Sequence, residues 1–370
     1  MTKMGHYLKL LNDMYACLKI LGKKYKEARF HPVFLANCNY ALEELSNPYN
    51  VKLHQLGELN KDRVIALIEF PGLWIKTAGF FALFNRTLCA LSFCDRLNLT
   101  PIIENWANCA YEEPIPVNGT KYVFEYYFES LTDISREQAN KSFNVIKPTN
   151  LNMDLVLLEY KVDKWYAPST SYIKHMGEIW KKYIRLNEKV SNQMTSDIEG
   201  VLKDRRTLGV HFRGTDFKLN VNNHPVSISE EDYFYYIDEA LDTGGFDQIF
   251  LATDDLLALK CFCQRYKNVV YYNDVYRANG NTSVAYSTDN RSLHKYRLGY
   301  EVIRDALTLG CCSGLIAGAS QVNIASRIYK SSKQEDFVYF KLIDKGINKN
   351  SLEWIDYYQR HIDKDTLNGH

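Results

Sequence analysis

The closely spaced cysteines of the second half do not stand at a zinc spacing. Cys261-x-Cys263 and Cys311-Cys312 are too close together, and no matching Cys or His pair follows either. The nine cysteines are an odd number, and Asp13 and Lys19 interrupt any apolar core of a secretory leader. A disulfide framework is therefore not expected. The cysteines read as reduced, mostly core residues of a cytoplasmic protein. Charge of one sign is also missing: the formal net charge is +1, which gives no reason to expect nucleic acid or a strongly acidic partner. Long hydrophobic runs are absent. Leu307 to Ser326 carries no formal charge, and Gly310, Gly314 and Gly318 imitate a membrane dimer motif. Thr308, Ser313, Ser320, Gln321, Asn323 and Ser326 make that stretch too polar to span a bilayer. No internal repeat or low-complexity segment stands out. Neither a Walker sequence nor G-x-G-x-x-G follows any strand, which argues against a P-loop nucleotide and a dinucleotide.

What is present is an ordinary globular composition, 46% apolar and 24% charged over 370 residues. That length suggests two domains of roughly 150–200 residues. In the first half, residues 7–21 have helical spacing. "VIALIEF" (64–70) reads as a strand, then a Gly-containing loop and an apolar helix, then "TPIIEN" (100–105) as the next strand. This is a βαβ unit. Residues 107–150 show no clean period and read as irregular insertions. One long polar helix is expected over about 171–203. The second half alternates more cleanly. "TLGVHF", "QIFLATDD", "NVVYYND" and "GLIAGAS" read as strands, separated by helices such as "SEEDYFYYIDEALDTG" with Ser229 as N-cap. The expected fold is α/β, with residues 1–200 as an N-terminal, acceptor-side domain, 201–345 as a doubly wound nucleotide-sugar domain, and 346–370 as a C-terminal helical segment.

The chemistry gathers at strand ends. "GVHFRGTDF" (209–217) places His211, Arg213 and Asp216 straight after an apolar run, with Gly214 among them. Such a segment is either a polar strand exit or part of a site. After "IFLA" come Thr253, Asp254 and Asp255; after "LIAG" come Ser320 and Gln321, which open a helix. Ligands of open α/β sheets bind beyond the carboxyl ends of the strands. Gly318 would permit a tight turn, and the free amides of the next helix suit a phosphate; a plain helix cap by Ser320 is the alternative. Arg213 would add a two-pronged match to phosphate oxygens. Asp254 and Asp255 raise a Mg²⁺ reading, but adjacent side chains diverge on a strand, so bonds to backbone or ribose fit better and no metal is expected.

Asp305 lies on or beside the apolar stripe of Leu298, Val302, Ala306 and Leu309. A lone buried carboxylate is costly unless paired. Arg304 or Arg297 would be a structural partner; the N–H groups of a purine would be a functional one. In the first half, Lys76, Gly79 and Asn85 fall in or after the first βα loop. Gly79 would allow a ligand to approach the backbone, or simply pack a helix on its sheet.

"HFRGTDF", "IFLATDD" and "VIRDALTLGCCSGLIAGASQV" resemble, in order and spacing, three motifs of the superfamily of α1,6-fucosyltransferases, nodulation-factor fucosyltransferases and protein O-fucosyltransferases. The resemblance covers roughly residues 205–332, with a weaker echo in "KTAGFFALFNR" (76–86). It implies a GT-B-like pair of Rossmann-like domains facing a central cleft, and inverting, metal-independent transfer of fucose from GDP-fucose. It implies no cofactor beyond the GDP-sugar donor. His211 and Asp305 would meet the guanine or nearby ribose, Arg213 the pyrophosphate, Ser320 and Gln321 the phosphates, and Asp254 and Asp255 the family's acidic pair. Two departures stand out. The eukaryotic α1,6 enzymes have Arg where this chain has Gly214, and a Glu follows their motif where this chain reads "KLNVNNH" (218–224). The base is therefore left between Asp216 and His224, with Lys76 beside Arg213 for the leaving diphosphate. The acceptor expected is a glycan or lipid-linked glycan of surface polysaccharide synthesis, compatible with peripheral contact at the inner face of the membrane. The rival readings are a transferase of another GDP-sugar, such as a GDP-heptose, and a nucleotide-sugar binder without catalysis.

Overall fold

The structure, a computed structural model, describes residues 51–70, 72–104, 106–162, 164–279, 283–349 and 351–361. The helix expected over 7–21 lies outside the described residues. The N-terminal unit holds a parallel three-stranded sheet in the order β2-β1-β3. Its strands are β1 (Ile65–Ile68), β2 (Thr100–Ile103) and β3 (Val145–Ile146). β1 is buried along its whole length, as a continuous apolar run predicts. Between β1 and β2 run α1 (Gly72–Thr77) and α2 (Phe80–Leu97). The stretch before β3 is irregular, with a 3₁₀ turn (Val123–Tyr126) and the single turn α3 (Arg136–Ala139). Then come α4 (Asn150–Glu159), α5 (Thr170–Tyr183) and α6 (Glu188–Leu202).

α5 and α6 correct the expectation of one helix over 171–203. The break has a tertiary cause. Ile184 turns extended, Leu186 bridges to Phe128, and the amides of Glu129 and Asn187 bond across to Arg185 and Tyr127 at 2.9 and 3.0 Å. Asn187 then starts α6 by accepting from the Val190 amide at 3.0 Å. These long-range backbone bonds outweigh a periodicity that would have run through.

The C-terminal unit is a parallel five-stranded sheet in the order β6-β5-β4-β7-β8. Its strands are β4 (Thr207–Phe212), β5 (Gln248–Thr253), β6 (Val269–Val270), β7 (Gly314–Gly318) and β8 (Tyr339–Ile343). Helices α7 (Glu230–Gly244), α8 (Leu256–Arg265), α9 (His294–Cys311) and α10 (Gln321–Ser332) connect them, and α11 (Trp354–His361) follows. The sheet grows outward from β4 on one side and from β7 on the other, so the β4–β7 boundary is its topological switch point. β8 is a strand that the sequence pattern did not reveal. Gly318 has no positive φ, contrary to the expected tight turn. Its role is close packing: a Cβ there would come within 2.8 Å of both Ile228 and the Tyr233 hydroxyl.

The two units share one apolar core. Phe80, Phe84 and Leu88 of α2, Met176 and Ile179 of α5, Ile303 and Leu307 of α9, and Ile324 and Ile328 of α10 belong to a single buried cluster. Two parallel α/β units face a common cavity, as expected for a GT-B-like arrangement, but the N-terminal sheet is smaller than a full Rossmann unit among the described residues.

Candidate active site

A cavity of about 630 Å³ lies at the carboxyl end of β4, β5 and β7 and is walled on the other side by α1, α2 and the segments after them. That volume suits a nucleotide-sized ligand. His211, Arg213, Asp216, His224, Asp254, Asp305, Ser320, Gln321 and Gly79 all line it. The structure thus brings together nine residues that the sequence had dispersed over more than two hundred positions.

At the switch point, His211 stands next to last in β4 and Ser320 follows β7. Ser320 caps α10 by accepting from the Asn323 amide at 3.1 Å, and its Oγ lies 3.3 Å from His211 Nδ1. Burial pushes the His211 imidazole down to about 4, more than the nearby Asp254 can offset, so the ring is neutral at physiological pH. Gln321 accepts from Asn85 Nδ2 through its side chain at 2.7 Å and its carbonyl at 3.2 Å, which ties the start of α10 to α2. The other amide oxygen, Asn85 Oδ1, is buried without a partner.

Arg213 is gripped by two carboxylates. One nitrogen pairs with Asp254 and another meets Asp216 at 2.6 Å. Burial opposes its charge, but Asp216 and Asp254 outweigh burial and hold the guanidinium above its ordinary range. Asp254 also accepts from the Gly214 amide at 3.0 Å and the Thr215 hydroxyl at 2.7 Å. Its burial raises the carboxyl, yet these donors together bring it below the usual range. Gly214 has a local cause. A Cβ there would lie 2.6 Å from Asp255 Cβ and Oδ2.

Asp305 lines the cavity from α9, as do Glu301 and Val302 of the same helix. Its expected structural partners are engaged elsewhere or make no contact with it: Arg304 pairs with Asp197 at 2.8 Å and Asp274 at 2.6 Å. No hydrogen bond reaches the Asp305 carboxyl from the described residues. Burial raises it to about 7, against the pull of Arg277 and Arg304.

Two expected residues are not brought to the cavity. Asp255 is buried as the N-cap of α8, accepting from the Leu257 and Ala258 amides at 2.8 and 3.2 Å, and it pairs with Lys218 at 2.6 Å. Both of its oxygens are engaged there, and it does not line the cavity. Lys76 lies on α1, outside the lining, because the segment expected as a loop is a helix there. Gly79 does line the cavity, with φ −69° as N-cap of α2 and no atom within 4 Å of a built Cβ, so neither strain nor packing demands a glycine. Among the described residues no group of three or more His, Cys, Asp or Glu is placed to hold a metal ion, and no helix is long and apolar enough to cross a membrane.

Other lining residues had no sequence signal. Tyr111 comes from the aperiodic insertion and donates no periodicity. Tyr286 and Trp354 close one side: Tyr286 Oη and Trp354 Nε1 both donate to the Thr77 carbonyl, at 2.7 and 3.0 Å. Trp354 also stacks on His224 with ring centres 5.3 Å apart.

No protein-family model matches the chain, and no curated protein matches it. In structure it is similar to NodZ α1,6-fucosyltransferase soaked with GDP-fucose, at 16% identity and a TM-score of 0.43, over 72% of this chain and 92% of that one. It is similar to the fucosyltransferase NodZ from Bradyrhizobium at 13% identity and a TM-score of 0.39, over 73% and 92%. It is also similar to POFUT1 in complex with GDP-fucose, at 11% identity and a TM-score of 0.44, over 79% and 99%.

Proposed function

We propose that the chain is an inverting, metal-independent glycosyltransferase that moves the sugar of a GDP-sugar, fucose in the first instance, to a hydroxyl of a glycan acceptor. The observation that carries this reading is Asp305. It is an unpartnered carboxylate lining a cavity that is also lined by a helix N-terminus, a neutral imidazole and a guanidinium at the ends of parallel strands. Guanine offers N1–H and a 2-amino group side by side, which suit one carboxylate; uracil and adenine offer no such pair. The amides that open α10 and Arg213 would stabilise the departing diphosphate. The acceptor hydroxyl would attack the anomeric carbon from the opposite face, and Asp216 or His224 would take its proton. The three strand-end motifs favour fucose over other sugars. A role in surface polysaccharide synthesis, with a glycan or lipid-linked glycan as acceptor at the cytoplasmic face of a membrane, belongs to the same reading.

Calorimetric titration of GDP and UDP tests it, followed by GDP release from GDP-fucose without acceptor. Tight GDP binding, weak UDP binding and slow donor hydrolysis support a transferase. Equal affinity for both nucleotides ends the guanine assignment, and binding without hydrolysis or transfer favours a non-catalytic binder.

A further inference from the structure

The two carboxylates on Arg213 are held unequally. Asp254 has three donors: Arg213, the Gly214 amide and the Thr215 hydroxyl. Asp216 has Arg213 at 2.6 Å and the same Thr215 hydroxyl at 3.3 Å, both on Oδ1. A hydroxyl has one proton, and Thr215 lies closer to Asp254, at 2.7 Å. Asp216 is therefore kept in place by Arg213 alone, and no hydrogen bond reaches its Oδ2 from the described residues. It sits on a short 3₁₀ turn, Asp216–Leu219, rather than on the sheet.

An incoming diphosphate meets a cavity whose described lining cations are Arg86 and Arg213. Both are already ion-paired, Arg86 with Asp154. The diphosphate as a whole carries more charge than one carboxylate and takes the same two-pronged geometry, so the loosely held Asp216 is the partner it can displace. A displaced carboxylate needs a new donor. One is present on the same loop. His224 Nδ1 is buried and has no partner, while its ring is fixed against Trp354. Asp216 is among the charges that act on this imidazole, together with Arg213 and Glu353.

We propose that Asp216 and the donor's phosphate compete for Arg213, and that the arriving diphosphate sends Asp216 to His224, which thereby becomes the base. The proposal rests on the GDP-sugar reading above. In the step it serves, His224 Nδ1–H donates to Asp216 while Nε2 accepts the proton of the acceptor hydroxyl. The acceptor oxygen bonds to the anomeric carbon, the bond from that carbon to the diphosphate oxygen breaks, and its electron pair leaves with GDP beside Arg213. Donor binding and base activation are then one event, so the base is not armed before the donor is in place.

Asp216→Asn in the full chain tests this. GDP should bind roughly tenfold more tightly by calorimetry, because a competing charge has gone. Turnover with GDP-fucose should fall by about a hundredfold or more, because the imidazole loses its carboxylate. Affinity and turnover moving in opposite directions is a result that mere misfolding does not give. His224→Gln should lose turnover with GDP affinity unchanged. Asp216→Ala, read the same two ways, serves where the Asn variant does not fold. GDP affinity that stays the same or weakens in these Asp216 variants, or turnover that survives in them, overturns the proposal. A wild-type protein that binds no GDP overturns the GDP-sugar reading instead.

Discussion

The five-stranded unit and the three-stranded unit face the same cavity and supply it with different things. From the ends of β4, β5 and β7 come His211, Arg213, Asp254 and Ser320, all polar and all bonded to one another or to nearby backbone. From the smaller unit come Trp74, Phe80, Phe81 and Tyr111, with Thr77, Asn85 and Arg86 among the polar residues. The difference follows from where backbone groups are free. At a sheet's carboxyl edge and a helix's first turn, amides and carbonyls lack regular partners, so polar side chains and anions are stabilised there. The smaller unit's lining is mainly apolar side chains, and it contributes shape and exclusion of water.

The sharpest break in this division is at Arg213. Arg213→Ala and Arg213→Lys should each lower turnover by about 10²–10³-fold, as for loss of a group that stabilises developing charge, while circular dichroism stays wild-type. Near-normal turnover in the Lys variant would refute a two-pronged phosphate contact.

Next in size is Asp305→Asn, expected to weaken GDP by about 1.5–3 kcal/mol and leave UDP nearly unchanged. The pH dependence sharpens it. Burial raises Asp305 to about 7 when folded, from the ordinary carboxylate value of about 4. Its contribution to stability is complete below about pH 4 and is lost as pH rises through about 7. Without ligand, Asp305→Asn should therefore melt higher than wild type at pH 8, with the gap narrowing as pH falls below about 7 and closing near pH 4. Guanine needs the ionised form, so wild-type GDP affinity should fall, by up to about tenfold per pH unit, as pH drops below about 7. A flat GDP profile from pH 5 to 8 would remove Asp305 from the base site.

A smaller effect is expected where the units meet. A Cβ at Gly299 would lie 2.1 Å from the Tyr127 hydroxyl, which donates to the Tyr296 carbonyl at 2.9 Å. Gly299→Ala should cost about 1–3 kcal/mol in urea unfolding through overpacking, with donor affinity little changed. The smallest expected effect is that of EDTA, which should leave transfer intact; loss restored by Mg²⁺ or Mn²⁺ would overturn metal independence.

The regular unit was the more legible one. β4, β5 and β7 are short apolar runs closed by polar residues, and Ser229 and Ser320 cap α7 and α10 as local chemistry predicts. Asp305 could be singled out because it interrupts an apolar stripe. Asp255 could not be separated from Asp254, because adjacent carboxylates look alike until one is seen capping α8. The break between α5 and α6 rests on bonds to residues 127–129, which no local pattern encodes. Trp354 reaches the cavity through a contact with Thr77 far away in the chain. β8 is an edge strand with intermediate and exposed residues, so its pattern lacks the continuous apolar run of its neighbours.

The apolar cluster that joins α2 and α5 to α9 and α10 bears on how such a protein can be taken apart or recombined. Domains exchange as modules when their mutual surface is polar and small. Here Leu88, Met176, Ala306 and Ile328 are fully buried in one cluster that belongs to both units. Neither half carries a water-compatible face at that place. A chimera that grafts the five-stranded unit onto a foreign partner would have to bring α2 and α5 with it, or leave this surface wet. Either half expressed alone should aggregate, and the whole chain should unfold in a single calorimetric transition.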